Sequence, residues 1–516
     1  MELNLEREHI NCYDMVLDTE VCQEETLEAI VPDACPDIAR IVDTGGQICL
    51  SGKHVRDGGL SVSGTVKVWV FYQPEGGQEL CRVEVKLPFT IQAEAAQLHS
   101  QGQCVVTPCL RSVDARSLNP RKILVRADIG LGIQAYQPRE LVLCCGISCD
   151  EDVGVQQRTA QHMAYLTQAV QEKEFTFYDE VRLSAGPGGR AQVLSVRADP
   201  WCMESKVIGS KLIFKGEVAL QVRYLVGGEL CGMRCAMPFS QIMELDGAGE
   251  AADCEMAMCV TDVDWTMAGE DGRTLNVTLE LLGQAVVRDR YPVTVLQDTY
   301  STVRQMTIQQ ESCVLNQLLD CGVRPQSVRE LLETETPAKT VVDAAVSVSQ
   351  LKQSRQDAQQ VLTAELRMNV LYLDEQDALR SVSRILNVSG RLELPANGAC
   401  RCSCRCPGEV FAVPAAGGVE VRFNPEFYCL VTRQQTVPAV TGAKLGQPHG
   451  ERQGEQPSVV LRMAAPGEDL WDIAKSCSTT QERVSAFVLW RNGRYRRDGS
   501  RPVRCRACRC GCVEVG

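Results

Sequence analysis

The residues with the clearest capacity for chemistry are cysteines, which crowd two short stretches of the chain. The first stretch alternates them with other residues, at Cys400, Cys402, Cys404 and Cys406. The second groups Cys505, Cys508, Cys510 and Cys512. Thiols so close together could bind zinc, but tetrahedral zinc usually takes ligands from two separate turns. We therefore expect structural thiols in the first stretch, adventitious binding in the second, and neither a metal site nor a cofactor.

Other catalytic patterns are missing from the sequence. The five histidines stand apart from one another and from any paired Ser or Cys context, at His9, His54, His99, His162 and His449. The glycine-rich stretch at residues 186–189 lacks the Lys-Ser/Thr of a phosphate-binding loop, so we interpret it as a turn. We expect no catalytic residues and no enzyme.

Three similar stretches organise the chain around these residues. Residues 60–72, 212–224 and 362–372 share a strand pattern that ends in Tyr72, Tyr224 and Tyr372. The tyrosines are spaced roughly 150 residues apart, which is the size of a whole domain rather than of a solenoid unit. The chain therefore reads as one domain repeated three times, at residues 1–150, 151–303 and 304–446.

Each shared strand alternates apolar and polar residues with a period of two. In the first copy, Val62, Val66 and Val68 lie on one face, and Ser63 and Thr65 lie on the other. One buried and one wet face is typical of antiparallel sheets. We predict a mainly β protein of three β-sandwich or barrel-like domains with short helices, at residues 36–42, 156–174 and 325–332.

The charge and the cysteine content bound the partners and the compartment. With 53 Lys and Arg against 66 Asp and Glu, the net charge is −13, which argues against nucleic acid as a partner. We expect no signal peptide and no transmembrane segment, because no run approaches the ~20 apolar residues that a membrane span needs. The 27 cysteines would then remain reduced in the cytoplasm.

A different unit follows a linker at residues 447–457. Residues 458–463 can form a strand, and residues 468–475 a helix with Leu470, Ile473 and Ala474 on one face. Thr479 and Glu482 have the spacing of a capping box, which predicts a second helix through Leu489.

Residues 459–492 resemble a LysM domain, because residues 466–475 follow that family's Gly-Asp-Thr-Leu-Trp-x-Ile-Ala signature with Asp469 in place of Thr. The resemblance implies a small α+β module that binds N-acetylglucosamine-containing glycan or a protein. Its implied contact residues are Gly467, Glu468, Asp469 and Leu470, with Asn492 across the groove. We add Trp471 as a binding anchor, since it lies beside the apolar helix face.

The first copy resembles the SPOCS domain of bacterial sporulation and spore-coat proteins, on residues 28–40, Arg56-Asp-Gly-Gly59 and the Val-Ser-Gly-Thr-Val strand. Copies two and three resemble it more weakly. SPOCS repeats followed by a LysM-like end are similar to the SipL/SpoVID class of coat-assembly proteins. That class implies a cytoplasmic protein of the mother cell, at the forespore surface, that binds a SpoIVA-like coat-morphogenesis ATPase.

Three functions stay open. The first is a non-enzymatic scaffold or adaptor in spore coat assembly that recruits its partner through the LysM-like end. The second is a peptidoglycan-binding adaptor of the cell wall, and the third is a thiol-rich metal or redox protein. The pattern of repeated domains favours the first.

The LysM resemblance breaks after Asn492, where the closing apolar strand of the family is replaced by Arg and Cys. We expect an incomplete module at residues 458–492, with its first strand unpaired, and a disordered tail at residues 493–516. Either the basic tail is genuine or the reading frame slips after about residue 490.

Translation of the underlying DNA should yield an in-register Pro-Gly turn and apolar strand in another frame; if neither alternative frame does, the tail is genuine.

Overall fold

The structure is a computed structural model that describes residues 3–77, 79–149, 153–184, 189–245, 247, 249–269, 272–449, 460–465, 467–485 and 502–505. Nearly all of the described chain is antiparallel β-structure, which confirms the prediction of a mainly β protein. Long strands and short loops alternate in an order that recurs along the chain.

The first repeat contains β1 (Asn4–Ile30), β2 (Ile38–Arg56), β3 (Gly59–Pro74), β4 (Cys81–Glu94), β5 (Gln103–Asn119) and β6 (Lys122–Ser148). Strands β2, β3 and β4 form a three-stranded meander. The first and last strands pair along their whole length, from Asn4 opposite Ser148 to Ile30 opposite Lys122. In the sequence, the meander therefore comes between the two strands of this long ladder. In the structure, it forms a separate sheet.

The second repeat has the same order in β7 (Val155–Arg182), β8 (Ala191–Ile208), β9 (Lys211–Val226), β10 (Glu229–Glu244), β11 (Asp253–Ala268) and β12 (Thr274–Ser301). A single bridge, Tyr13 opposite Thr167, joins its long ladder to that of the first repeat. The outer strands of both repeats consequently form one six-stranded sheet, in the order β11-β12-β7-β1-β6-β5.

The third repeat divides its outer strands. It consists of β13 (Arg304–Pro325), β14 (Val328–Glu333), β15 (Ala338–Gln356), β16 (Gln359–Asp374), β17 (Leu379–Glu393), β18 (Gly398–Arg405), β19 (Phe411–Ala415), β20 (Gly418–Phe423) and β21 (Glu426–Pro448). β13 pairs with β21 and β14 with β20, so together they take the place of the single long ladder. The pairing order thus recurs three times, while the predicted domain boundaries stay a prediction.

The core of each repeat lies between its meander and its outer strands. In β3, Val62, Val66 and Val68 are fully buried, whereas Ser63 and Thr65 are only partly covered. The buried face packs against β6, whose Ile123 and Val125 belong to the same cluster. The alternation predicted from the sequence is confirmed here, and burial of one face of each sheet explains it.

The helices predicted within the repeats are wrong. Residues 36–42 lead into β2, residues 325–332 span the start of β14, and residues 156–174 lie in β7. The last segment is rich in helix-forming residues, but it pairs with β12 along its whole length. Long-range strand pairing overrides local propensity at these sites. The described part of the three repeats contains no helix.

A bulge at the same place in each meander joins the repeats to one another. Val42, Leu194 and Val342 are the extra residues of equivalent bulges in β2, β8 and β15. Ser381 Oγ of the third repeat donates to the Val42 carbonyl at 2.8 Å, and Arg82 of the first donates to the Leu194 carbonyl at 2.6 Å.

The third junction uses a glycine where the first repeat has Arg82. A Cβ on Gly232 would lie 3.0 Å from the Val342 carbonyl, so only glycine lets the two backbones approach without displacement. The contacts run from the first repeat to the second, from the second to the third and from the third back to the first. The three meanders therefore close into a ring with approximate threefold symmetry.

A buried ion cluster lies where the three meanders meet. Arg223 of the second repeat donates to Asp43 of the first at 2.9 Å and to Asp343 of the third at 2.8 Å. Gln221 donates to both oxygens of Asp343 at 2.7 Å. Burial raises the pKa of Asp43, and the Arg223 charge opposes that shift. One guanidinium thus holds two carboxylates from two other repeats.

Apolar side chains enclose this cluster. They come from equivalent positions of the repeats, and they include Val42, Phe71, Leu80, Leu230 and Leu379. Phe71 and Leu371 occupy the positions that correspond to Arg223. The sequence therefore departs from threefold symmetry at the axis, where it places one cation among apolar residues.

The outer ends of the long ladders form a second junction, which we call the stem. It comprises residues 4–13 with 138–148, 155–167 with 288–301, and 304–318 with 432–448. Apolar residues of all three ladders meet in it, among them Leu141, Val293 and Leu315. The repeats are therefore joined at two levels, by the ring and by the stem.

Replacement of Arg223 by Leu should lower the free energy of unfolding by about 3–5 kcal/mol, because two buried carboxylates lose their common partner. Denaturant unfolding measures the change. Arg329→Leu is the matched control: its side chain is 67% exposed and pairs with Glu420, so its loss should leave the unfolding midpoint almost unchanged. Equal effects of the two substitutions would show that the central cluster is unimportant for stability.

Candidate interaction site at the C-terminal module

The described part of the predicted binding module contains two short helices beyond the repeats. α1 (Leu470–Ser476) begins after Asp469, whose carboxylate accepts from the Asp472 amide, while the Asp472 carboxylate accepts from the Asp469 amide, both at 3.1 Å. Asp469 is thus a reciprocal N-cap at the position where Thr is expected. The requirement for an N-cap at the start of α1 explains why an Asp occupies this position.

The N-cap of the second helix lies one residue later than predicted. α2 (Gln481–Ser485) follows Thr480, whose Oγ1 accepts from the Arg483 amide at 3.3 Å. The prediction of Thr479 as the capping residue is therefore wrong: the carbonyl of Thr479 instead accepts from the Tyr300 hydroxyl at 2.7 Å. Leu489, the predicted helix end, lies outside the described residues.

The strand before α1 is paired, contrary to expectation. β22 (Val460–Met463) pairs antiparallel with β23 (Pro502–Cys505), from Val460 opposite Cys505 to Met463 opposite Pro502. The prediction that this strand keeps an unpaired edge is wrong for these four residues, whereas the incomplete module and the disordered tail stay predictions. The rest of residues 493–516 lies outside the described residues.

An aromatic contact attaches the module to the stem. The Trp471 ring packs edge-on against Tyr300 at the end of β12, with centroids 4.9 Å apart. Trp471 is 4% exposed and shares a small cluster with Ile473, Ala474 and Val484. The sequence pattern placed Leu470 on the apolar face, but Leu470 is only partly buried and Trp471 occupies the centre.

Charged groups surround this aromatic contact. Asp298 accepts from Trp471 Nε1 at 2.7 Å and from Lys475 Nζ at 2.6 Å. Arg158 of β7 pairs with Asp469 at 3.1 Å. One carboxylate of the stem therefore holds two side chains of α1, and one guanidinium of the stem holds its N-cap.

The residues predicted to bind a partner can now be placed. Gly467 takes a positive φ in the turn before α1, and the Glu468 carboxylate accepts from the Ala465 amide at 2.9 Å. Together with Asp469 and Leu470 these residues form one continuous turn at the start of α1. Asn492 lies outside the described residues.

Trp471 is not a freely exposed anchor in this arrangement, because its side chain contacts Tyr300 and Asp298 of its own chain. Sequence reasoning missed Asp298, Tyr300 and Arg158 altogether. These residues precede the module by more than one repeat, and no local pattern connects them to it. Binding of glycan or protein at this turn stays a prediction.

The cysteine candidates have different surroundings. Cys400, Cys402, Cys404 and Cys406 pack against the core of the third repeat. Of the second group, Cys505 ends β23, and the other three cysteines lie outside the described residues. Within the described ranges, no group of three or more His, Cys, Asp or Glu side chains is arranged to hold a metal ion. The absence of a metal cofactor stays a prediction.

Neither of the two helices in the described part of the chain has the length and apolar character needed to cross a membrane.

Replacement of Asp298 by Ala should loosen the module from the stem, because Trp471 and Lys475 lose a charged acceptor. Such hydrogen bonds contribute about 1.5–3 kcal/mol each, so amide exchange of residues 470–476 should rise about tenfold or more. Asp289→Ala on the same strand is the control, since within the described residues Asp289 accepts from the neighbouring Arg290 amide and not from the module. Unchanged exchange in both variants would contradict the role of Asp298.

Two segments of the chain, each containing a meander, match a known protein family. Residues 37–117 and 191–268 match the family model described as SipL, SPOCS domain. No curated protein and no solved structure matches the chain. The matched segments contain most of β2–β5 and most of β8–β11, and they cover less than half of the chain. The matches support a SipL-like, sporulation-related protein whose first two repeats carry SPOCS domains.

Proposed function

We propose that the protein is a non-enzymatic scaffold in spore coat assembly. It lies in the mother-cell cytoplasm at the forespore surface and recruits a coat-morphogenesis protein, a SpoIVA-like ATPase, through its C-terminal module. The two SPOCS matches support the link to sporulation. The role as a scaffold and the partner are proposals that rest on the arrangement of the repeats and the module.

The observation that carries the scaffold proposal is the shared ion cluster. Asp43, Arg223 and Asp343 come from three different repeats, and each is largely buried. A buried charge without its partner is costly, so no repeat can move away while the others keep their structure. A unit locked in this way presents its outer surfaces at fixed positions, as a platform for assembly must.

The module adds a recruitment surface whose availability depends on the stem. Its turn at Gly467 and Glu468 lies next to the docked helix, and Trp471 faces Asp298. A partner that uses Trp471 must displace Tyr300 and Asp298. A partner that uses only the turn can bind the docked module. Loss of Asp298 should strengthen the first mode of binding and leave the second unchanged.

Affinity capture from sporulating cells with the tagged full chain tests this function. Leu470→Asp places a carboxylate at a partly buried helix position and should unfold the module by several kcal/mol, with loss of recruitment. Trp471→Ala should weaken recruitment by about 2 kcal/mol or more if the side chain is an anchor. Glu482→Gln at an exposed site of α2 is the control and should recruit normally.

Asp298→Ala separates undocking from binding, because it frees the module and leaves Trp471 intact. Stronger capture by Asp298→Ala together with weaker capture by Trp471→Ala supports an anchor that competes with the stem. Normal capture by folded Trp471→Ala shows that the anchor proposal is wrong.

Sedimentation with purified peptidoglycan tests the alternative of a glycan-binding adaptor: binding that Leu470→Asp abolishes, without capture of a coat protein, would favour that alternative.

A further inference from the structure

Two cysteines of the third repeat face each other across adjacent strands. Cys402 of β18 lies directly opposite Cys429 of β21, and their sulfur atoms are 3.6 Å apart. Among the paired strands that the structure describes, they are the one cysteine pair in direct register. Facing residues of an antiparallel pair have Cα atoms about 4.5–5.5 Å apart, within the range that a disulfide spans.

The neighbouring thiols do not have this geometry. Cys400 lies opposite Val431, and Cys404 lies opposite Phe427. All three cysteines of β18 have their side chains on the same face, against the core of the repeat, so register alone distinguishes Cys402. The alternating pattern in the sequence therefore does not distinguish Cys402, which has a cysteine opposite it, from its neighbours.

The surroundings of Cys429 favour its thiolate. Hydrogen bonds from the thiols of Cys400 and Cys402, with the charge of Arg324, lower the pKa of Cys429. Its partner has the opposite shift: the hydrogen bond to Cys429 and burial raise the pKa of Cys402. Cys429 is 1% exposed, whereas Cys402 is only partly buried. Cys402 is thus the more accessible of the two thiols, and Cys429 is the one that ionises more readily.

We propose that Cys402 and Cys429 are a redox pair that closes to a disulfide when the protein meets a peroxide. The Cys402 sulfur, after losing its proton, attacks one peroxide oxygen, the O–O bond breaks, and hydroxide leaves from hydrogen peroxide. The resulting sulfenic acid is attacked at sulfur by the Cys429 thiolate, which releases a second hydroxide. In sum, two thiols and one hydrogen peroxide give one disulfide and two water molecules.

The disulfide would fix the strand that carries a contact among all three repeats. Arg401, next to Cys402 on the other face of β18, pairs with Glu255 of the second repeat. It also donates to the Tyr136 hydroxyl of the first repeat at 3.3 Å. Closure would tie β18 covalently to β21 and so hold Arg401 in place.

Peroxide treatment of the folded full chain, followed by alkylation and tryptic peptide mapping, tests the pair. Trypsin cleaves after Arg401 and Arg405, so Cys400 falls on a different peptide from Cys402. We expect a peptide of residues 402–405 linked to one of residues 423–433, lighter than the two reduced peptides by two hydrogen atoms. Reduction should separate them.

Matched variants assign the linkage. Cys400→Ser and Cys404→Ser should retain it, and Cys402→Ser should abolish it while circular dichroism remains that of the parent. Cys429→Ala, which leaves no polar group in the core, should abolish it as well. A link of Cys429 to the peptide of Cys400, loss of the link in Cys404→Ser, or sulfinic acid at Cys402 without any disulfide would each overturn the proposal.

Discussion

The structure depends on one guanidinium. Arg223 is the cation that Asp43 and Asp343 share, and these three side chains belong to three different repeats. A hydrophobic contact at the same place would tolerate sliding, because apolar contacts are not directional. A guanidinium that bridges two carboxylates through directional hydrogen bonds fixes both distance and orientation. It therefore gives the ring a single register as well as cohesion.

The contacts around this cluster also join neighbouring repeats, but they are weaker than the ion pairs. Neighbouring repeats donate to the bulge carbonyls of Val42 and Leu194 with a hydroxyl and a guanidinium, and Gly232 approaches the carbonyl of Val342 closely. Lys67 and Arg367 occupy equivalent positions and both reach the next repeat, at Asp262 and at the Arg111 carbonyl. The second repeat has Ala219 there. The repeats therefore use different side chains at equivalent positions of these junctions.

Periodicity in the sequence was enough to predict strands, buried faces and the threefold repetition, because these follow from local alternation and from spacing along the chain. It was not enough for residues 156–174, whose composition favours helix until β12 pairs with them. Nor could it identify Arg223 as central, since the same position holds Phe71 and Leu371 in the other copies. Only the assembled ring brings its two aspartates together.

The same distinction applies to the candidate site. A motif predicted α1, although it began the helix at residue 468 and did not assign Asp469 as the N-cap. The docking partners of α1 are encoded elsewhere, on β7 and β12. Trp471 consequently has two possible roles that a motif cannot separate, since an aromatic side chain on a short helix can serve its own chain or another. In the described arrangement Tyr300 and Asp298 occupy it, so any partner that needs this side chain must first compete with the stem.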